Sequence, residues 1–298
     1  MRSRRWILAA AFATLTSGHG YTQAPDKIPV VATFSILADM TQRIGGGRID
    51  VQALVGPQED AHVFQPSPAA AATVARARLV VSNGLGFEGW IGRLVSSTGY
   101  KGPVIIASEG VNPIATTEDG HSDTDPHAWQ DMSNALVFAN NIMRGLCSID
   151  AAGCPTYTEN TKSYSAEIES LHTDIKSRIG ALPASKRKVI TSHDAFGYFA
   201  KAYGVTFISP IGLSTESEAS AKDVAKLIGQ IKSEKVTALF LESISDTRLI
   251  EQIARETGVK PGAVLYSDAL SPPDGPAATY LGMMRHNSQA ITAAMAGS

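Results

Sequence analysis

Three histidines and one aspartate are the residues of this chain whose types and placement could do chemistry: His62, His127, His193 and Asp268. Three imidazoles and a carboxylate complete a four-donor shell for a transition-metal ion, usually zinc. Each falls where a strand is expected to end, and together they span both halves of the chain. That placement predicts a metal clamped in a cleft between two lobes. Four protein donors leave no open coordination position, which suits a carrier better than a catalyst.

The local contexts support the grouping. His62 follows Pro57-Gln58-Glu59-Asp60-Ala61 and precedes Val63-Phe64-Gln65-Pro66, a turn-rich stretch in which a histidine can face a cleft. His127 sits in Asp125-Pro126-His127-Ala128-Trp129-Gln130-Asp131. There Trp129 is placed to pack beneath the ring, and either Asp125 or Asp131 can accept its second N–H. His193 lies in Thr191-Ser192-His193-Asp194 at a strand-to-helix junction, and Asp268 ends Leu265-Tyr266-Ser267-Asp268. In open α/β sheets such strand ends converge on the binding crevice. A loop histidine taken alone is more often a surface residue; it is the joint pattern that argues for a shared site. Of the other histidines, His19 lies in or near the leader, His172 is expected exposed on a helix, and His286 is expected to pack near the C-terminus. His121, six residues before His127, is either an ordinary loop histidine or a transient ligand. Zn2+ suits this donor set, with Mn2+ or Fe2+ as alternatives. Asp268 bound through one oxygen gives a tetrahedral site, and bound through two it gives five-coordination, which manganese accepts more readily.

The elements that must position these residues read as alternating strands and helices, the pattern of parallel sheets covered on both faces. Strands are expected at 28–34, 51–55, 79–81 and 104–106, and a mobile loop at 108–125. Tyr164, Ile168, Leu171, Ile175 and Ile179 recur at helical spacing. They predict a helix over 156–180, roughly 37 Å long at 1.5 Å per residue. Beyond Pro183 the alternation resumes, with strands at 188–191, 205–209, 236–241 and 264–266. The predicted fold is α/β: two similar parallel-sheet lobes, 25–155 and 184–298, joined by a single long rigid helix within 156–183.

The 298 residues accommodate two domains, and a formal net charge of -2 gives no reason to expect nucleic-acid binding. Arg2, Arg4 and Arg5 precede an apolar run from Trp6 to Leu15, the composition of a signal peptide over 1–24. The run is too short to span a bilayer. The only cysteines are Cys147 and Cys154, so none stands at the cleavage site to carry a lipid. The expectation is a soluble periplasmic protein without a lipid anchor, in which the two cysteines form a disulfide. Metal thiolates are the alternative, but C-x6-C is not a zinc-knuckle spacing.

The ordered stretches Val31-Ala32-Thr33-Phe34-Ser35, Glu59-Asp60-Ala61-His62-Val63-Phe64-Gln65-Pro66-Ser67-Pro68, Ser82-Asn83-Gly84-Leu85-Gly86-Phe87-Glu88, Asp125-Pro126-His127-Ala128-Trp129-Gln130-Asp131, Ser192-His193-Asp194-Ala195-Phe196-Gly197 and Asp268-Ala269-Leu270-Ser271 resemble the metal-specific solute-binding proteins of ABC importers. The resemblance covers essentially the whole mature chain. It implies two lobes joined by a long helix, with an ion buried between them on His62, His127, His193 and Asp268. Histidine rather than glutamate at the third position leans toward zinc. The implied partners are an ABC-type membrane permease with its cytoplasmic ATPase; a periplasmic metallochaperone is a further candidate partner on which the sequence is silent, and a monomer is expected. Met132 stands where the family usually has proline, and the His/Asp-rich loop of many zinc-type members is short here. The rival reading is a zinc metallohydrolase, which needs an open metal position and a base such as Glu59 or Asp194.

Overall fold

The computed structural model describes residues 26–118, 121–216, 219–234, 236 and 238–297. The leader expected at 1–24 lies outside them. Of the described helices, none is long and apolar enough to cross a membrane.

The first lobe is built on strands β1 (Ile28–Phe34), β2 (Ile49–Val55), β3 (Leu79–Ser82) and β4 (Val104–Ile106), hydrogen-bonded in the order β2-β1-β3-β4. All three pairings are parallel. The continuous apolar runs of β1 and β3 fit strands covered on both faces, and β3 is buried throughout. Helices α1 (Ser35–Gly45) and α2 (Pro68–Arg76) pack on the sheet, and α3 (Ile91–Thr98) packs on α2. The Ser67 hydroxyl caps α2 by accepting the Ala70 N–H, and Pro68 opens the helix where no N–H is needed.

The segment expected as a mobile loop over 108–125 is not featureless. It contains an antiparallel hairpin, β5 (Ala115–Glu118) and β6 (His121–Thr124). Threonines at 116, 117 and 124 supply the β-branched residues that favour strand pairing. The side chain of His121 and residues 119–120 lie outside the description. Helix α4 (Met132–Ile149) follows, capped by Asp131, whose Oδ1 accepts the Ser133 N–H.

Helix α5 (Cys154–Gly180) has 27 residues, about 40 Å at the standard rise. Tyr157, Thr161, Tyr164, Ile168, Leu171, Ile175 and Ile179 form its buried stripe. It packs on α1 and α4 of the first lobe, on α6 (Gly197–Tyr203) of the second, and on the C-terminal α9 (Tyr280–Ala296). His172 does not stand free on this helix: its Nδ1 lies 3.1 Å from the Tyr203 hydroxyl.

The second lobe is less regular than its sequence suggests. Among its described residues, only β7 (Lys188–Ile190) and β8 (Thr206–Ile208) pair as full strands. The strands expected at 236–241 and 264–266 are reduced to parallel bridges, Ile190↔Leu239, Leu239↔Pro261 and Glu242↔Leu265. The resulting order, β8-β7 followed by the Leu239 and Leu265 segments, mirrors that of the first lobe. Helices α7 (Ala221–Glu234) and α8 (Thr247–Thr257) form its outer layer around a separate core of Ile190, Val224, Leu227, Ile231, Ile250 and Ile253. The segment around Asp268 is stitched to the first lobe. Leu270 N–H donates to Ser35 Oγ (3.0 Å) and Tyr280 N–H to Asp39 Oδ2 (2.8 Å). Trp129 Nε1 and Gln130 Nε2 both donate to the Ser267 carbonyl, at 2.9 and 2.8 Å.

Cys147 and Cys154 are joined in a disulfide across the turn from α4 to α5. The loop it closes is short, so the loop-entropy ceiling on its contribution is about 2–3 kcal/mol. Replacing both cysteines by serine is expected to lower unfolding free energy by no more than that, as read by urea denaturation of the metal-free protein.

Candidate metal centre

Each candidate ligand is delivered by a distinct piece of local structure. His62 follows β2 in a turn whose Asp60 Oδ1 accepts the His62 backbone N–H at 2.9 Å. The other Asp60 oxygen accepts the Thr215 hydroxyl at 2.6 Å, a bond from the second lobe that holds this turn from across the cleft. His127 precedes a short 3-10 turn at Ala128–Gln130. Asp125 Oδ1 accepts the His127 backbone N–H at 2.9 Å and lies 2.8 Å from its Nδ1. Of the two aspartates expected near this ring, Asp125 is therefore the partner, and Asp131 caps α4. The loop is fixed from behind by Asn83, whose Nδ2 donates to the Pro126 carbonyl at 2.9 Å. His193 leaves the end of β7, where it bridges Ile211. Asp268 follows the bridged Leu265 segment.

The structure brings all four together. Their nearest ligand-capable atoms lie within 4.8 Å of one another, and all four residues are buried. Asp268 Oδ2 is 3.1 Å from His193 Nε2 and 3.3 Å from His62 Nε2, while Oδ1 is 3.6 Å from His127 Nε2. The Nε2 atoms of His62 and His127 are 3.4 Å apart. A tetrahedral shell with bonds near 2.1 Å places its donors about 3.4 Å from one another, so the cluster has the size of one coordination sphere. Neither Asp268 oxygen has a hydrogen-bond partner among the described residues. A buried carboxylate without donors is costly unless a cation meets it.

The walls are aromatic. Phe87 lies edge-on to His62 at 4.7 Å between ring centroids, and Trp129 lies 5.4 Å from His127. Phe34 packs against both Phe87 and Trp129. Such walls exclude water and strengthen the electrostatics inside. Burial alone would push the Asp268 carboxyl up, but the facing rings of His193 and His127 hold it well below the usual carboxylate range. Burial alone would push the His193 ring down, but the carboxylates of Glu242 and Asp268 hold it well above the ordinary histidine value.

One residue of this centre has no sequence signal of its own. Glu242, at the end of Leu239-Phe240-Leu241-Glu242, is 2% exposed. Its Oε1 accepts the backbone N–H groups of Ser192 and His193 at 2.6 and 3.0 Å, and its Oε2 lies 2.7 Å from His193 Nδ1. The only hint in the sequence is a carboxylate closing an apolar run, where solvent cannot hold it. Of the other histidines, His286 donates through Nε2 to the Val264 carbonyl at 2.8 Å and packs on Tyr266, as expected of it. Of the two candidate bases of the hydrolase reading, Glu59 and Asp194, Glu59 uses Oε2 to accept the Gly56 N–H at 2.6 Å.

Comparison with known proteins places this geometry. The family described as "Zinc-uptake complex component A periplasmic" matches residues 30–294. The iron ABC transporter substrate-binding lipoprotein MtsA of Streptococcus pyogenes is 32% identical over 301 residues, covering 98% of this chain and 95% of that protein. The manganese ABC transporter substrate-binding lipoprotein PsaA of Streptococcus pneumoniae is 31% identical over 301 residues, covering 98% and 96%. The solved structure of the periplasmic zinc-binding protein TroA from Treponema pallidum superposes with a TM-score of 0.86 at 29% identity, covering 91% of this chain and 99% of that one. MtsA and PsaA are lipoproteins by name, which overturns the expectation of a soluble protein without a lipid anchor. The missing early cysteine spoke to one attachment chemistry and did not establish a freely diffusing protein.

A four-donor cleft between two α/β lobes, matched along nearly the whole chain, makes this protein a member of the metal-specific solute-binding proteins of ABC importers, non-catalytic proteins that bind a divalent transition metal and deliver it to a membrane permease.

Proposed function

We propose that His62, His127, His193 and Asp268 hold the cargo ion directly, and that the chain carries it in the periplasm to an ABC permease driven by its ATPase. The observation that carries this reading is the convergence of four buried donors on a space the size of one ion. One chain supplies every donor, so a monomer suffices. The linking helix is α5 (Cys154–Gly180), which opens earlier than the expected 156, and the lobes that supply the donors are the stretches before and after it.

The identity of the cargo turns on Asp268. Zinc was the expectation from a third histidine. The relatives are divided: MtsA is named for iron, PsaA for manganese and TroA for zinc. The carboxylate presents Oδ1 to His127 and Oδ2 to His62 and His193, with both oxygens free of other partners among the described residues. Binding through both makes a five-donor shell, which manganese and iron accept more readily than zinc does. We therefore read the site as a carrier for manganese or iron that also takes zinc. Zinc is still expected to bind more tightly in isolation, because the affinity order of first-row ions rises from manganese through iron toward copper and zinc. Metal availability then decides the load.

Titration of the stripped protein should show stoichiometric binding of manganese as well as zinc, with the Asp268 carboxylate bidentate by X-ray absorption. A chain that ignores manganese and holds zinc tetrahedrally would return the assignment to zinc. His127→Ala and Asp268→Ala should each weaken binding of either ion by more than about 100-fold, since each removes a donor that only the metal satisfies. Unchanged binding in both variants would remove these residues from the shell.

Acidification should release the ion. The rings bind metal only when Nε2 is unprotonated. Because the folded-state pKa of His193 is raised, its proton stabilises the metal-free fold at pH values below the ordinary histidine pKa, and that contribution is lost as pH rises through the raised value. The ion takes the place of the proton. Manganese should therefore raise the melting temperature more at pH 8 than at pH 5.5, and affinity should fall about tenfold per pH unit for each proton displaced. Thermal shift at both pH values checks the sign; a gain that is equal or larger at pH 5.5 would contradict it.

A further inference from the structure

We propose that Glu242 is a positioning residue that fixes which ring nitrogen of His193 faces the ion. The assignment rests on the metal-binding reading above and adds to it the means by which one ligand is kept competent.

Among the described residues, the one ion-pair contact of Glu242 is with His193. Its Oε1 is committed to two backbone donors, Ser192 N–H and His193 N–H, at 2.6 and 3.0 Å. Both donors belong to the turn that carries the ligand, so this oxygen pins the backbone of His193. The second oxygen, Oε2, lies 2.7 Å from His193 Nδ1. Both atoms are buried and neither makes a hydrogen bond among the described residues, so each faces the other as its nearest polar neighbour. An ionised carboxylate is an acceptor only, so the ring nitrogen beside it must carry the proton. With the proton on Nδ1, the lone pair of the neutral ring is on Nε2, the atom 3.1 Å from Asp268 and turned into the cluster. His127 has a related arrangement, in which a single oxygen, Asp125 Oδ1, is hydrogen-bonded both to its Nδ1 and to its backbone N–H. The two histidines thus reach the ion from opposite lobes with the same nitrogen, each backed by a buried carboxylate. Glu242 differs in reaching across from a neighbouring strand segment, 49 residues along the chain from His193. It therefore ties the ligand to the sheet of the second lobe.

Glutamine at this position tests the assignment because it keeps the shape and inverts one donor. In Glu242→Gln the two backbone N–H groups hold the amide oxygen at the place of Oε1. The amide NH2 then occupies the place of Oε2 and points a donor at Nδ1. Nδ1 must become the acceptor, the ring proton moves to Nε2, and Nε2 can no longer bind metal.

Zinc affinity is measured by chelator competition on the stripped full chain as wild type, E242Q, H193A and the H193A/E242Q double variant. E242Q is expected to weaken zinc binding by about 10–100-fold, the range found when a ligand's outer hydrogen-bond partner is removed. In the H193A background the same change is expected to have no further effect, because there is no ring left to orient. Wild-type affinity in E242Q, or an equal loss with and without His193, would overturn the assignment while leaving the carrier reading intact. Failure of the wild-type chain to bind zinc overturns the carrier reading and this assignment with it. Nitrogen-15 NMR of the zinc-loaded wild type requires no variant to fold: His193 should show its proton on Nδ1 and the metal on Nε2, and the reverse pattern would end the proposal.

Discussion

The carboxylate of Asp268, fully buried with neither oxygen hydrogen-bonded among the described residues, is the constraint around which the molecule is arranged. A sealed, unpaired charge is destabilising by several kcal/mol, and truncating a partner does not relieve it. Three imidazoles face it from separate segments, yet none of them can neutralise it while remaining a neutral ligand. The cluster therefore has two satisfied states, one with a proton among the rings and one with a divalent cation at the centre. Competition between proton and ion follows from this geometry alone. The aromatic wall of Phe34, Phe87 and Trp129 makes the choice sharp by keeping water from acting as a third option.

Holding four donors at coordination distance without the ion requires support from behind, and the hydrogen bonds supply it. Asp60 holds the His62 backbone, Asp125 that of His127 and Glu242 that of His193. The same device recurs three times: an acidic side chain accepts the N–H of the ligand residue itself. Two of the three are local, separated from their histidine by two positions, and the third arrives from another strand segment. Glu88 extends the support by one layer. Its Oε1 accepts the Thr33 hydroxyl and the Asn83 N–H, and Asn83 in turn holds the Pro126 carbonyl beside His127. Burial raises the Glu88 carboxyl, while these donors oppose the rise.

This division between local and distant support explains what could be read from the sequence. The four residues that converge were legible as candidates because strand ends, prolines and turn residues mark them within a few positions. So was Asp125, two residues from its ring. The long helix was legible because Tyr164, Ile168, Leu171, Ile175 and Ile179 keep one face across its length. Glu242 was not, because its role is created by the bridge that sets its segment beside β7, a pairing no local pattern encodes. The hairpin at 115–118 and 121–124 was missed for a related reason: polarity and glycine argued for a loop, whereas cross-strand pairing decided the outcome. Two of the four second-lobe strands, those expected at 236–241 and 264–266, failed in the other direction. Runs such as Ala238-Leu239-Phe240-Leu241 have the apolar content of a buried strand, but they make only isolated bridges.

The asymmetry between the lobes bears on how an ion leaves. His62 and His127 belong to the first lobe, whose core is continuous with the α5 stripe and with Leu265, Leu270 and Tyr280. Asp268 is held from both sides. Ser267 and Leu270 bond to Trp129, Gln130 and Ser35 of the first lobe, while Leu265 N–H donates to the Leu241 carbonyl of the second at 2.8 Å. His193 is attached through Glu242 and the Ile211 bridge to the second-lobe sheet, beyond which lies the separate core of α7 and α8. Of the four donors it alone has its backbone support entirely in that lobe. A displacement of the second lobe as a body is thus transmitted to His193 directly, to Asp268 through a segment anchored at both ends, and to His62 through the Thr215–Asp60 bond and the Gln58 N–H bond to the Leu270 carbonyl. The donor whose ring orientation depends on a distant carboxylate is also the one placed to part from the others first.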